Sequence, residues 1–562
     1  MSCGDNDTQE QEQLMPRRRQ VRRVDKSICQ KCRQTKSMYI IRNVTFCKTC
    51  FEAAVFSRFT KSLHPPLKSP ASSRSAASSG YRPPTQPGSA LIALSTGCGS
   101  TTLLDLLLTR RYIGKGDDRV VDKTKGEKEP VWRKGWVCYV DFSGVIGEVE
   151  RRDEGQGQRE GSRMEEVKKW VEGRENGLGW VGLRAEDVFD KGLRNRLRAV
   201  AGMPVQDDKE ETAAHCAVDL KDDALPLLSL SSPSSSSSSP TTPLTHLRNL
   251  LTSLPPSSRP QLLSHILSSL LTTVAHTLPH ISHVLMGETS TRQAERLISG
   301  TALGRGWQLP LELAAVRAEP ALPSLGHLIS SAEAEAEAEV EAKAEGEKRE
   351  IIGFTWLKPM SDLTAKEAAI YCHLRSLSSF TYNARHWDSA GPPPAAGKMK
   401  GGVKSLEMLT ENFIAGLGAS HPATVSTINR TGGKLVFPGK EEDRPYCPVC
   451  QMPVDPSALE WKSRTALTFL ATKTEPTAIN KQQQPQHDEI ETLAPLLCYS
   501  CLTTLTPPTI VSKAKAKAQT AGLNVNGDEP VLLPVWVNEG VKRRQVGRGK
   551  MKDEIKEFLI EE

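Results

Sequence analysis

Short apolar runs, each followed by a turn and a helical stretch, recur along this chain and are separated by long polar stretches. Ser89-Ala-Leu-Ile-Ala-Leu94 is the kind of run that a parallel sheet buries on both faces. It passes through a Gly-rich turn, Ser95 to Ser100, into Thr101 to Arg111, which reads as a helix with leucines on its inner face. Trp136 to Phe142 reads as a second strand, and Leu244 to Leu251 and Leu262 to Ala275 as amphipathic helical stretches. His283 to Met286 is a short apolar strand, and Ile351 to Trp356 is another. A helix then runs from Thr364, its N-cap, to about Leu377. Strand and helix in alternation predict an α/β domain with a parallel sheet.

The polar stretches lower the apolar fraction of the 562 residues to 38%, as expected for a core diluted by solvated inserts. Lys68 to Gly88 is Ser/Pro-rich, and Arg151 to Arg163 is charged and Gly-rich. Ser229 to Pro243 is nearly all Ser, Pro and Thr, Ala332 to Glu345 alternates Glu and Ala, and Gln482 to Gln486 lies in a further polar run. Such segments bury too little apolar surface to offset their ordering entropy. The formal net charge of +7 is mild for this length, but it is concentrated. Arg17, Arg18, Arg19, Arg22 and Arg23 form one basic arm; Lys542, Arg543, Arg544, Arg548, Lys550 and Lys552 form another cluster. Both suit a phosphate backbone, and both equally suit a solvated tail or a localisation signal.

Cysteine changes the picture most. Eight of the thirteen cysteines fall into four Cys-x-x-Cys pairs: Cys29/Cys32, Cys47/Cys50, Cys447/Cys450 and Cys498/Cys501. The first two pairs are separated by 14 residues, close to zinc-ribbon spacing. The last two are separated by 47, much of it polar low complexity that a loop absorbs. Two closed all-cysteine sites follow, each with zinc as its expected ion; iron–sulfur ligation stays open, because thiolates serve iron as well. Disulfides need an oxidising compartment. Met1 to Glu12 is polar and acidic with no apolar h-region, and no stretch approaches a membrane span, so a reducing cytosol is expected.

The remaining candidate chemistry is weaker. Ser95-Thr-Gly-Cys-Gly-Ser100, between strand and helix, offers backbone N–H groups and a positive dipole end to a phosphate. It is neither a Walker A loop nor Gly-x-Gly-x-x-Gly. The cysteines of the expected core, Cys98, Cys138, Cys216 and Cys372, form no sequence motif and read as ordinary thiols. His280 and His283 read as structural. Leu303-Gly-Arg-Gly306 reads as a helix end with glycine stops, leaving Arg305 available to a phosphate or a partner; Trp387, beside His386, reads as packing rather than as a base-stacking platform.

The loop resembles the Ser-Gly-Gly-x-Asp-Ser signature of the PP-loop ATP pyrophosphatases, with Thr96 in place of the first Gly and Gly99 in place of the Asp. Gly287-Glu-Thr-Ser-Thr-Arg292 is similar to the Gly-His-Asn-x-Asp-Asp segment of active PP-loop tRNA thiolases, with Thr291 and Arg292 in place of the two acids. Together with Phe46-Cys-Lys-Thr-Cys-Phe51, Leu303-Gly-Arg-Gly306, Lys358-Pro-Met-x-Asp-Leu-Thr364, Tyr446-Cys-Pro-Val-Cys450 and Lys552 to Leu559, these segments resemble the cytoplasmic tRNA 2-thiolation protein 2 family. That resemblance implies a PP-loop-like (adenine nucleotide alpha hydrolase-like) parallel sheet with helices on both faces, flanked by zinc ribbons.

It also implies a non-catalytic, tRNA-binding subunit that forms a heterodimer with a catalytic PP-loop paralogue. The pair would move sulfur from a thiocarboxylated ubiquitin-like carrier to the wobble uridine of tRNAs for Lys, Glu and Gln in the cytoplasm. The vestigial nucleotide loop would be Ser95, Thr96, Gly97, Gly99 and Ser100, and the missing acids make ATP binding doubtful. The alternatives are an active ATP-dependent sulfurtransferase and a zinc-ribbon nucleic-acid-binding protein with an unrelated core. The expected domains are a basic arm (1–24), a ribbon (25–62), a linker (63–88) and the α/β domain (89–435), with inserts near 151–163, 221–243 and 331–348. A second ribbon (436–510, insert near 473–490) and a basic tail with a short helix (511–562) complete the chain.

Overall fold

A computed structural model describes residues 26–68, 88–114, 130–146, 163–174, 177–204, 216–220, 222, 224–229, 242–255, 257–319, 353–378, 380–381, 405–438, 444–455, 457–465, 492–506 and 530–544. Two compact units emerge, Met1–Ser57 and Arg58–Glu562.

In the first unit, β1 (Tyr39–Ile41) and β2 (Val44–Phe46) form an antiparallel hairpin, Ile41 opposite Val44. Its two-residue turn, Arg42-Asn43, takes positive φ at both positions (48° and 66°), the geometry that matches the twist of the flanking strands. Helix α1 (Lys48–Lys68) follows at once. Within this unit Ile41, Phe46, Phe51 and Val55 are buried, and the rings of Tyr39 and Phe51 lie 5.5 Å apart. A core of this size supplies little hydrophobic stabilisation on its own.

The second unit is built on a six-stranded sheet in the order β5-β4-β3-β8-β10-β9. Its elements along the chain are β3 (Ser89–Ala93), α2 (Cys98–Thr109), β4 (Gly135–Asp141), α3 (Arg163–Glu172) and β5 (Gly179–Arg184). Strands β6 (Cys216–Val218) and β7 (Leu227–Ser229) pair apart from this sheet. Helices α4 (Pro243–Ser253) and α5 (Arg259–Thr277) lead back to β8 (Ile281–Met286) beside β3. Then come α6 (Ser290–Ala302), α7 (Leu309–Leu313), β9 (Val316–Glu319), β10 (Phe354–Leu357) and α8 (Ala365–Leu374). A helical hairpin, α9 (Leu406–Ser420) and α10 (Pro422–Gly432), precedes α11 (Tyr499–Leu505) and β11 (Val531–Leu532), which pairs with β6.

The α/β expectation holds: five strands are parallel and only the edge strand β9 is antiparallel. The strand order reverses between β3 and β8, which places the carboxyl ends of those two strands, and the loops leaving them, at the switch point of the sheet. Both faces are covered. Leu91, Trp136, Cys138 and Val284 join a cluster with Leu263, Ile266 and Leu270 of α5. The alternating residues Ala90, Ile92 and Val137 are equally buried but outside that cluster, as are Leu103, Leu104 and Leu107 of α2. Such near-continuous burial is the signature of a parallel sheet sandwiched between helices.

Several elements lie where expected, with shifted ends. The helix after the Gly-rich turn begins at Cys98, three residues before the expected start, and the helix after β10 is capped by Thr364 in a full capping box with Glu367. Among the described residues no helix is long and apolar enough to cross a membrane. The basic arm, Arg548, Lys550, Lys552, His386, Trp387 and the Glu/Ala run lie outside the described residues.

Candidate functional site

Both cysteine sets are built by one local device used twice. The first pair of each set makes a tight knuckle. Arg33 N–H donates to Cys29 O at 2.7 Å, and Gln451 N–H donates to Cys447 O at 2.9 Å. The residue just after each pair is left-handed, Arg33 at φ 56° and Gln451 at φ 57°. The second pair of each set opens a helix: Cys47 directly precedes α1, and Cys498 caps α11 by accepting from Cys501 N at 3.4 Å.

In each set the four sulfurs lie within 4.8 Å of one another. A tetrahedral ion with metal–sulfur bonds of about 2.3 Å requires sulfur–sulfur edges of about 3.8 Å. Cys32 and Cys47 are 3.9 Å apart, and Cys450 and Cys498 are 3.7 Å apart. The donor set and its spacing therefore fit one metal ion per site.

The surroundings differ. In the first set Cys32 and Cys50 are half-exposed, and threonine hydroxyls provide the nearby polar contacts, Thr35 at 3.2 Å from Cys32 Sγ and Thr49 at 3.4 Å from Cys47 Sγ. Hydrogen bonding from Thr35, then Thr49, holds Cys47 down at about 5, while the neighbouring Cys47 pushes Cys50 up to about 12. Four thiolates so close repel one another, and a divalent cation at their centre would remove that repulsion.

In the second set all four cysteines are buried and continuous with the core on one face of the sheet. Gln308, on the turn into α7, donates its amide N–H to Cys498 Sγ at 2.8 Å and to Cys450 Sγ at 3.2 Å. His265 of α5 lies 3.8 Å from Cys501 Sγ, and Gln261 of the same helix bonds Ser500. Arg305 is buried against this site and paired with Glu312. The sequence reading left Arg305 open to a phosphate or a partner; instead it is consumed inside the fold, because the left-handed Gly304 (φ 75°) turns it inward.

The Gly-rich loop sits at the switch point of the sheet. Its hydroxyls are turned on each other: Ser95 Oγ lies 3.1 Å from Ser100 Oγ, which accepts from Ser95 N and donates to Gly97 O, both at 3.2 Å. Thr96 is buried in the left-handed region at φ 58°, an unusual place for a β-branched residue, and its hydroxyl has no partner among the described residues. Gly99 packs directly on the backbone after β8: a Cβ there would overlap the Gly287 carbonyl oxygen. Conversely, a Cβ on Gly287 would overlap Ser100 Cα.

The Gly287–Arg292 segment is equally occupied. Thr291 Oγ1 accepts from Ala365 N at 3.0 Å, and Arg292 pairs with Glu295 at 2.9 Å and Glu411 at 3.6 Å. Glu288 is buried between Lys358 at 2.6 Å and Arg296 at 3.2 Å. Burial alone would raise its pKa, but the two cations hold it at about 2. Lys358 also reaches the carbonyl of Glu312. Charged groups thus run from this segment to Arg305 beside the second thiol centre.

The histidines are structural. His280 takes φ 56°, and its carbonyl accepts from Ser89 N at 2.8 Å. His283 accepts from Trp132 Nε1 at 3.2 Å and lies 2.9 Å from Ser282 Oγ; burial pushes it down to about 4. Of the basic C-terminal cluster, Lys542, Arg543 and Arg544 lie on a helix over 535–544, where Glu539 pairs with Arg194 at 2.7 Å and Arg543 at 3.6 Å. No local pattern signals that Cys98 and Cys372, 274 positions apart, meet behind the loop. Nor did it flag Gln308, which lies in no motif.

A family model described as "Cytoplasmic tRNA 2-thiolation protein 2" matches residues 405–503. Curated proteins of that description are similar to this chain. The one from Drosophila ananassae is 26% identical over 254 residues, 44% of this chain and 51% of that protein. The one from Drosophila willistoni is 29% identical over 200 residues (35% and 40%), and that from Kluyveromyces lactis is 23% identical over 241 (40% and 46%). The chain thus spans about half the length, or less, of the curated relatives it matches. Among solved structures, the U34-tRNA thiolase NcsA from Methanococcus maripaludis with its [4Fe-4S] cluster aligns over 72% of this chain and 86% of its own, at 12% identity and a TM-score of 0.34.

Proposed function

Since this chain belongs to the cytoplasmic tRNA 2-thiolation protein 2 family, we propose that it serves 2-thiolation of the wobble uridine in cytoplasmic tRNAs for Lys, Glu and Gln as a non-catalytic, tRNA-binding subunit. A catalytic PP-loop paralogue would be its partner in a heterodimer, and sulfur would arrive on a thiocarboxylated ubiquitin-like carrier. The observation that carries the non-catalytic reading is the packing of Gly99 on Gly287. An active PP-loop needs an acid there to organise the metal-bound triphosphate, and this loop has neither the carboxylate nor the space for one. Thr291 and Arg292, in place of the two later acids, are bound within the fold.

Cys29, Cys32, Cys47 and Cys50 would hold one zinc ion, and Cys447, Cys450, Cys498 and Cys501 a second. A four-iron cluster ligated by four cysteines binds each to a different iron and spreads their sulfurs wider than one ion does. Four sulfurs within 4.8 Å favour the single ion. Both ions would be structural: four protein ligands close the coordination shell and leave no open position for chemistry.

The test is to purify the chain with and without its paralogue and to assay 2-thiolation and ATP cleavage. Activity is expected only from the pair, and thiolation by this chain alone would overturn the proposal. Restoring the acid with Gly99→Asp should lower stability by about 1–3 kcal/mol or more through overpacking and produce no ATP cleavage. A stable variant that cleaves ATP would show that the missing carboxylate was all the loop lacked.

A further inference from the structure

Cys98 and Cys372 lie far apart in sequence, and neither is used by the thiol centres. Cys98 is the first residue of α2, at the positive end of a twelve-residue helix whose N-cap, Gly97, offers no side-chain cap. It is half-exposed on the loop, whereas Cys372 is buried on α8 directly behind it. The two helices pack so that Cys372 Sγ lies 3.5 Å from Cys98 O and 3.2 Å from Thr102 Oγ1, which is itself 3.2 Å from Ala368 O. The Cys372 sulfur is thus seated against the backbone of Cys98, across the contact between the two helices.

We propose that Cys98 and Cys372 are a peroxide-reactive thiol pair, with Cys98 as the nucleophile and Cys372 as the thiol that resolves it into an intramolecular disulfide.

The division of labour follows from placement. Hydrogen bonding from Cys372 first, then from Thr381 and the Cys98 backbone N–H, outweighs burial and brings Cys98 down to about 6. The same contact, followed by burial, pushes Cys372 up. Asp105 on α2, whose charge acts on Cys372, is held by Tyr371 at 2.9 Å, Arg174 at 2.9 Å and Arg375 at 3.4 Å, which limits its repulsion of a thiolate. Cys98 is therefore the thiol shifted toward thiolate and reachable from solvent, and Cys372 the one shifted toward the neutral thiol and sheltered.

The Cys98 thiolate attacks one oxygen of a hydroperoxide. A sulfur–oxygen bond forms, the oxygen–oxygen bond breaks, and the leaving oxygen takes a proton to become water or an alcohol. The Cys372 sulfur then attacks the Cys98 sulfenic acid: the sulfur–sulfur bond forms, and the sulfenic oxygen leaves as water with the Cys372 proton. Each sulfur gives up one electron overall, and the two reduce the peroxide. The product would tie α2 to α8 and fix the Gly-rich loop between them.

The test uses the full metal-loaded chain and peptide mapping, which separates this pair from the eight ligand cysteines. Iodoacetamide should alkylate Cys98 at pH 7 about threefold or more faster than half-exposed Cys216, with a half-maximal rate near pH 6 rather than above 8. Hydrogen peroxide should yield a dithiothreitol-reversible peptide joining Cys98 to Cys372. Cys372→Ser, with Cys372→Ala as the second variant should the first misfold, should instead leave Cys98 as a sulfenic acid that dimedone captures. A half-maximal alkylation pH above 8 would overturn the assignment. So would peroxide treatment that leaves the two peptides unlinked.

Discussion

In the N-terminal unit, Cys29, Cys32, Cys47 and Cys50 hang from a hairpin and a helix start, with two of the four half-exposed and threonine hydroxyls beside them. In the larger unit, Cys447, Cys450, Cys498 and Cys501 occupy the same knuckle and helix start but are buried to the last sulfur, with Gln308, His265 and Arg305 around them. Identical first-neighbour geometry thus serves two mechanical roles. A metal at the first site would substitute for a core too small to fold alone; one at the second would fasten chain segments far apart in sequence onto an existing core.

The comparison can be broken most directly by removing one ligand from each site. Cys498→Ser should release one metal equivalent and unfold Arg58–Glu562 cooperatively, whereas Cys47→Ser should release the other and melt only Met1–Ser57. Metal analysis with calorimetry reads both outcomes, and a Cys498→Ser protein with an intact main transition would erase the distinction. Next in size is Arg305→Ala, which strands the buried Glu312 and should cost about 3–5 kcal/mol in the main transition; denaturant unfolding measures it. Gln308→Leu removes two N–H···S bonds and should cost about 1–3 kcal/mol. It should also weaken metal retention about 10–100-fold in chelator competition, with no change at the N-terminal site.

The smallest effect is acid sensitivity. Burial pushes His276 and His283 down to about 4, so both stay neutral in the fold while the unfolded chain takes up protons below about 6.5. Their stabilising contribution is complete above pH 6.5 and falls as the pH drops from 6.5 toward 4, by up to about 1.4 kcal/mol per pH unit for each. Met1–Ser57 contains no histidine, so the part of the loosening that hydrogen exchange reads over pH 6.5 to 5.5 and that His283→Gln removes should be confined to the larger unit. A His283→Gln protein that loosens as much as the parent would remove the asymmetry.

What could be read from sequence follows the range of the interactions. Strands β3, β4, β8 and β10 announced themselves because burial on both faces forces continuous apolar runs. The knuckles announced themselves because metal geometry fixes ligand spacing. β9 did not: it is a short edge strand, Val-Arg-Ala-Glu, whose two charges are satisfied by each other, Arg317 with Glu319 at 2.7 Å, so no apolar run marks it. Arg305 misled because an arginine between glycines reads as surface, and only the distant Glu312 and thiol centre draw it inside. Gln308 and the meeting of Cys98 with Cys372 are long-range contacts with no local pattern to betray them.

Gly99 and Gly287 block each other's escape. Any side chain at position 99 strikes the 287 carbonyl, and any side chain at 287 strikes the backbone at 100. A single nucleotide change at either codon therefore leads downhill in stability, even when the new residue is the acid that nucleotide chemistry would want. To admit a side chain at position 99, the strand-to-helix connection after β8 would have to move first. The facing glycines act as a gate across sequence space: a substitution at either position passes through an intermediate whose strand-to-helix connection no longer packs as it does here.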